Sequence, residues 1–193
     1  RNEDRRLSAG HLWVYSNEVD TRKSPLSGFE PGSLAVIQSA AGKTLGAAYV
    51  NPRSLICARL LTRRPRTAID AGFFERRLRS ALQLRDSLFE HPDYRLVYGE
   101  SDGLPGLVID RYGDVLVVQI TTAGMEAVRE LLLQVLDKMF APSGILLRND
   151  TPVRALEGLS QEPEVIGEVP ETVTLEEGGV RFEVPLAAGQ KTG

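Results

Sequence analysis

Between Gly99 and Asp114 the chain reads GESDGLPGLVIDRYGD, and few backbone paths accommodate that order of residues. Asp102-Gly103 followed at once by Leu104-Pro105-Gly106 is a dense cluster of chain breakers, so 101–106 reads as a tight, defined loop. Leu107-Val108-Ile109 is a short apolar run rich in β-branched residues and predicts a strand. Tyr112-Gly113-Asp114 turns the chain, and Val115–Ile120 returns as a second strand. The loop carries Glu100 and Asp102, and the turn carries Asp110, Arg111 and Asp114. Two readings of these residues compete. In one, Gly and Pro serve the bends and the charges serve solvation; in the other, the loop Asp102, Gly103, Pro105 and Gly106 borders a functional cleft.

The formal charge of −3 conceals an uneven distribution. Residues 1–66 hold 11 Lys/Arg and 5 Asp/Glu, a net of +6, whereas 67–193 hold 12 and 21, a net of −9. A basic front on an acidic body fits a polyanion met by one end only; uneven surface charge without a partner is the plainer alternative. No apolar run approaches the length of a membrane span, and the polar start RNEDRRLSAG is not a secretory signal. The start also lacks Met, which suggests a trimmed or partly ordered start. With its single cysteine, Cys57, the chain has no internal disulfide framework and suits a reducing compartment. The expectation is a cytoplasmic protein with no membrane partner.

Residues 1–66 read as a small β module. Leu12–Tyr15, Ser33–Gln38, Thr44–Val50 and Ser54–Leu61 are short strand-like runs separated by Pro31-Gly32, Gly42-Lys43 and Asn51-Pro52. Gly42-Lys43-Thr44 mimics the end of a phosphate-binding P-loop. That motif needs a glycine at position 37, which is Ile37, and a helix where the pattern here is strand. Cys57 sits in an apolar strand with no histidine near it in sequence and reads as a buried, inert thiol. His11 has no metal-ligand spacing around it, and no metal is expected. Arg5, Arg6, Arg22, Lys23, Arg53, Arg59, Arg63, Arg64 and Arg66 supply cations that suit phosphates. Trp13 and Tyr15 lie two apart, hence on one face of a strand, where they serve either the core or base stacking.

Thr62–Thr67 is polar, basic and split by Pro65, and the domain boundary is placed there, between residues 66 and 67. Asp70 suits an N-cap. Phe74, Leu78, Ala81, Leu84 and Leu88 then keep helical spacing up to Pro92, with Arg76, Arg79 and Asp86 on a solvated face. Tyr94–Tyr98 is a strand leading into the loop described above. Met125, Val128, Leu132, Val135, Leu136 and Met139 predict a second helix, stopped by Pro142-Ser143-Gly144. Gly144–Arg148 reads as a buried strand, 149–171 as an acidic loop, and 172–184 as a hairpin about Gly178-Gly179. The predicted fold class is α+β: a β module, then a domain over 67–185 with helices on one face of a mainly antiparallel sheet.

The motif order supports a more specific reading. Gly10-His11-Leu12-Trp13-Val14-Tyr15, Pro31-Gly32, Gly42…Gly46…Tyr49…Asn51 and Ser54…Ile56…Arg59 resemble a PUA domain, a small RNA-binding pseudo-barrel. Asp102–Leu107, Asp110–Asp114, Arg148-Asn149-Asp150, Val153-Arg154, Glu157-Gly158 and Gly189–Gly193 follow in sequence. Together they resemble the large-subunit ribosomal RNA cytosine-C5 methyltransferase I family.

That resemblance implies a PUA domain, a central α+β domain and a Rossmann-like class I methyltransferase domain that binds S-adenosylmethionine. It implies ribosomal RNA as partner and places the last domain after residue 193, with 186–193 as a linker. The family's glycine-rich cofactor loop and nucleophilic cysteine have no counterpart in this chain, so no catalytic residue is assigned. The resemblance also implies that Gln190, Lys191 and Thr192 lie near the cofactor or substrate, or form a plain linker. Two other functions stay open: a stand-alone RNA-binding module, and a methyltransferase of the same architecture acting on another base. A homodimer is compatible with the sequence as well.

Overall fold

The computed structural model describes residues 4–177 and 179–186. The first module opens with a short helix, α1 (Asp4–Ser8), and continues through β1 (Trp13–Val14), β2 (Leu34–Gln38), β3 (Thr44–Val50) and β4 (Ala58–Thr62). The strands form an antiparallel sheet in the order β1-β4-β3-β2. The expected strand over 54–61 begins only at Ala58, because Asn51 bends the chain ahead of it. The Asn51 side-chain oxygen accepts from the Arg53 amide at 3.1 Å and its carbonyl from Ser54 at 3.2 Å, an Asx-type turn.

Side-chain alternation along β3 divides one strand between two cores. Ala48 and Val50 pack with Leu7, Val14, Cys57 and Leu60 in the first module. Tyr49, facing the other way, joins the core of the second, as does Leu61 of β4. A module of about 60 residues buries little apolar surface alone, and here it shares a core with its neighbour.

The chain crosses through an exposed segment at 63–66 and enters α2 (Ala71–Asp86). Asp70 caps this helix as expected, its carboxylate accepting from the Phe73 amide at 2.9 Å. Then come β5 (Asp93–Tyr98), β6 (Leu107–Tyr112), β7 (Val115–Ile120), α3 (Ala123–Glu126), α4 (Arg129–Phe140), β8 (Gly144–Leu147), α5 (Pro152–Leu156), β9 (Glu164–Gly167), β10 (Thr172–Glu177) and β11 (Val180–Pro185). Strands β5 to β9 form one sheet in sequential order, antiparallel except for the β7–β8 pair. The helical crossover α3–α4 makes that one pair parallel. Helices α2 and α4 cover one face, with Phe74, Leu78, Leu132 and Leu136 against Leu96, Ile109, Leu116 and Val118. Val115, Val117 and Leu146 on the opposite face lie under Val169, Val173 and Leu186. The α+β class and the mainly antiparallel sheet are therefore as the sequence predicts.

Four details differ. Leu84 and Leu88 are exposed, because the inward positions at the end of α2 are taken by Arg85, which donates to the Arg95 carbonyl at 3.0 Å. The second predicted helix is two helices, interrupted at Ala127-Val128. The expected acidic loop over 149–171 contains α5, opened by Pro152 in its first turn, and β9, which extends the sheet edge. Asp110, assigned to a solvated turn, lies in β6, buried and paired with Arg95 at 2.8 Å.

Candidate nucleic-acid interface at the joint of the two modules

The joint is built from small residues and one buried carboxylate. The Tyr49 hydroxyl donates to the Pro105 carbonyl at 2.8 Å, and burial pushes that phenol well above its ordinary range. Its ring lies on Gly124, where a Cβ would fall 2.0 Å from the ring. Gly106 adopts φ +80° and leaves room for Thr122, which a Cβ would meet at 2.3 Å. Beside them Glu157 accepts from the Asn51 amide group at 2.6 Å, from Arg59 at 3.1 Å and from the Ala123 backbone N–H at 3.3 Å. Burial alone would push the Glu157 carboxyl up. The Asn51 hydrogen bond, then the Arg59 charge and the Ala123 amide, outweigh it and hold the group below its ordinary value.

This arrangement corrects the expectation for Arg59. It is 7% exposed and ion-paired with Glu157, so it fastens the modules and does not reach a phosphate. Arg6 is also engaged: it donates to both Glu18 oxygens at 2.6 and 2.7 Å and lies over the Tyr15 ring. Arg5, Lys23, Arg53, Arg63, Arg64 and Arg66 are exposed, as phosphate contacts require. Trp13 is 38% exposed and its indole N–H donates to Glu100 at 2.6 Å, which pins the ring edge and leaves the ring accessible.

The loop 102–106 is turned toward the first module and α2. Asp102 is held by Arg85 in a two-pronged pair at 2.6 and 2.8 Å and accepts from the Tyr98 backbone N–H at 2.6 Å. A Cβ on Gly103 would meet Arg77 at 2.8 Å, and the Pro105 carbonyl is taken by Tyr49. The loop thus serves as a structural joint between the two modules, and its Asp102 and Gly103 also line the groove beside α2. Gln190, Lys191 and Thr192 lie outside the described residues.

Sequence reasoning missed α2's contribution. A groove of about 820 Å³ runs between the connector and α2, lined by Arg63, Arg64, Arg76 and Arg77. Among the described residues none of these four guanidinium groups pairs with a carboxylate. Arg77 donates to the Leu61 carbonyl at 3.2 Å and lies over the Phe73 ring. Of the two carboxylates at the groove wall, Asp102 is neutralised by Arg85 and Glu100 is engaged by Trp13. The Arg76-Arg77 doublet was visible in the sequence, but nothing local marked it as facing the connector. Cys57 is buried beneath β1 with its thiol pushed up to about 11 by burial, consistent with an inert role. Among the described residues, no helix is long and apolar enough to cross a membrane.

Comparison with known proteins extends these observations. Residues 1–63 match the family model of the PUA-like domain. The whole chain is 39% identical over 198 residues to the ribosomal RNA large subunit methyltransferase I of Aliivibrio fischeri (strain MJ11), covering 49% of that protein. It is 39% identical over 199 residues to the protein of that name from Cronobacter sakazakii and 38% over 199 to that of Escherichia coli O127:H6, again covering 49% of each. The chain therefore spans about half the length of the curated relatives it matches. Its fold is similar to that of a protein from Streptococcus mutans described as a SAM-dependent methyltransferase, with a TM-score of 0.75 and 17% identity over 96% of this chain and 46% of that one. A methyltransferase solved with SAH superposes with a TM-score of 0.77 and 17% identity, covering 97% and 47%. The resemblance read from scattered motifs thus runs along the entire chain.

Proposed function

We propose that this chain is the RNA-holding half of a large-subunit ribosomal RNA methyltransferase that modifies cytosine C5. The observation that carries this reading is the colinear 39% identity, which leaves no part of the chain unmatched. The physical features agree with it. The PUA-like module and the connector after it, with Arg5, Lys23, Arg53, Arg63, Arg64 and Arg66 exposed, offer phosphates a charged face, and the joint with the second module fixes that face in place. The role of this half is to grip and orient structured RNA, in the cytoplasm, for transfer of a methyl group by a further domain.

S-adenosylmethionine supplies that methyl group, and the starts of α3 and α5 are not free to cradle it. The backbone amides at the start of α3 are taken internally, Ala123 by Glu157 and Met125 by the Thr122 hydroxyl. The turn ahead of α5 is closed by Gln161, which donates to the Thr151 carbonyl at 3.0 Å. We place the cofactor in the portion of the relatives that this chain does not span, and assign no chemical step to these residues. Mass spectrometry of ribosomal RNA from a strain lacking the gene is the test. Loss of one methyl mark from a large-subunit cytosine is expected; an RNA with every mark intact overturns the reading.

A further inference from the structure

We infer that the groove at the joint threads a single-stranded segment of RNA, with phosphates on Arg63, Arg64 and Arg76 and an unpaired base against Trp13. The inference rests on the RNA-binding reading above and adds where the strand runs and what form it takes. Three observations carry it. First, the groove pairs connector arginines from one module with helix arginines from the other, and none of these guanidinium groups is paired with a carboxylate among the described residues. Second, the groove does not end at the arginines. Two further hollows, of about 340 and 410 Å³, share Glu100 and Ser101 with it and bring Trp13 and Tyr98 to its far end. Third, both aromatics are open, at 38% and 56% exposure, although aromatic rings of this size are usually covered.

A cationic track that ends on exposed rings is the arrangement that binds single strands: the cations follow the backbone and the rings stack bases. A base in a duplex has no free face for an indole, so the ring selects unpaired RNA. Glu100 supports the same geometry. By accepting from the indole N–H at 2.6 Å it fixes the ring's edge and leaves its face to the hollow. Arg95 lies 5.2 Å over the Tyr98 ring and covers one side of it, which makes Trp13 the better platform.

The test uses the only tryptophan of the 193-residue chain as its own reporter. The chain is titrated with a short oligouridine and with an RNA duplex, following indole emission and the anisotropy of labelled RNA. Oligouridine is expected to quench Trp13, and the duplex is not. Replacing Arg63, Arg64 and Arg76 together by Ser should flatten the log K against log salt slope by about 2, since each single-strand phosphate contact contributes about 0.7. Trp13→Ala should weaken oligouridine binding about tenfold, the usual worth of one stacked base. All four side chains are exposed, so circular dichroism should be unchanged. RNA binding with an unaltered slope in the triple variant, or without quenching in the parent chain, overturns this path and leaves the RNA-binding reading standing. Absence of any RNA binding in dilute buffer removes both.

Discussion

The Asn51 side-chain amide donates to the Glu157 carboxylate at 2.6 Å across 106 residues of chain, in a site where Glu157 is 3% exposed. The same carboxylate binds Arg59, so two residues of the first module converge on one of the second. A buried carboxylate with three donors is costly to disturb from either side, because the partner left behind keeps its charge or its unmet hydrogen bond.

Glu157→Gln preserves shape and removes the charge, leaving Arg59 buried without a counter-ion. A loss of about 3 kcal/mol in urea unfolding is expected. A loss below about 0.5 kcal/mol would show that Arg59 escapes to solvent and that the joint does not depend on the pair.

The pH dependence follows from the lowered Glu157 pKa. Burial opposes ionisation, but the Asn51 bond, the Arg59 charge and the Ala123 amide win, so the folded-state value lies below the unfolded one. The resulting stabilisation is complete above the ordinary carboxylate range, near pH 4.3 and higher. It is lost as pH falls through the folded value. Parent stability should therefore fall more steeply in acid than that of Glu157→Gln, and parallel pH profiles for the two would contradict the assignment.

Gly124→Ala drives a methyl group into the Tyr49 ring, to an ideal distance of 2.0 Å. Ring and helix must separate, at a cost of about 1–3 kcal/mol. Tyr49→Phe keeps the packing and strands the Pro105 carbonyl, costing about 1 kcal/mol. Thermal denaturation of the two variants checks both values, with Gly124→Ala the less stable.

Asp102→Ala tests the structural role of the loop. Its carboxylate is enclosed by Arg85 and the Tyr98 amide, so stability in urea unfolding should fall by about 3 kcal/mol. A loss below about 0.5 kcal/mol would show that the loop does not depend on the pair.

Much of the local structure was legible because local physics decides it. Asp70 caps α2 whatever lies around it, and the breakers at 102–106 and 112–114 bend the chain as their chemistry dictates. The alternation of β3 was legible too, but not its consequence. Tyr49 belongs to the second module's core only because that module comes to lie against it. The same limit applies to Arg59 and Asp102. Each reads as a surface charge in sequence, and each is buried because a partner at the far end of another element, Glu157 or Arg85, reaches it. The groove was hidden for the matching reason. Arg63-Arg64 and Arg76-Arg77 are separate doublets until the connector folds back along α2.

We propose that this chain holds ribosomal RNA through its charged face. The most direct measurement is the affinity of the 193-residue chain for a large-subunit ribosomal RNA fragment across a range of salt. Tight binding in dilute buffer is expected, weakening linearly in log salt, with a shallower slope once Arg63, Arg64 and Arg66 are replaced by Ser. A chain that ignores the RNA in dilute buffer, or a variant with the parent's slope, would contradict it.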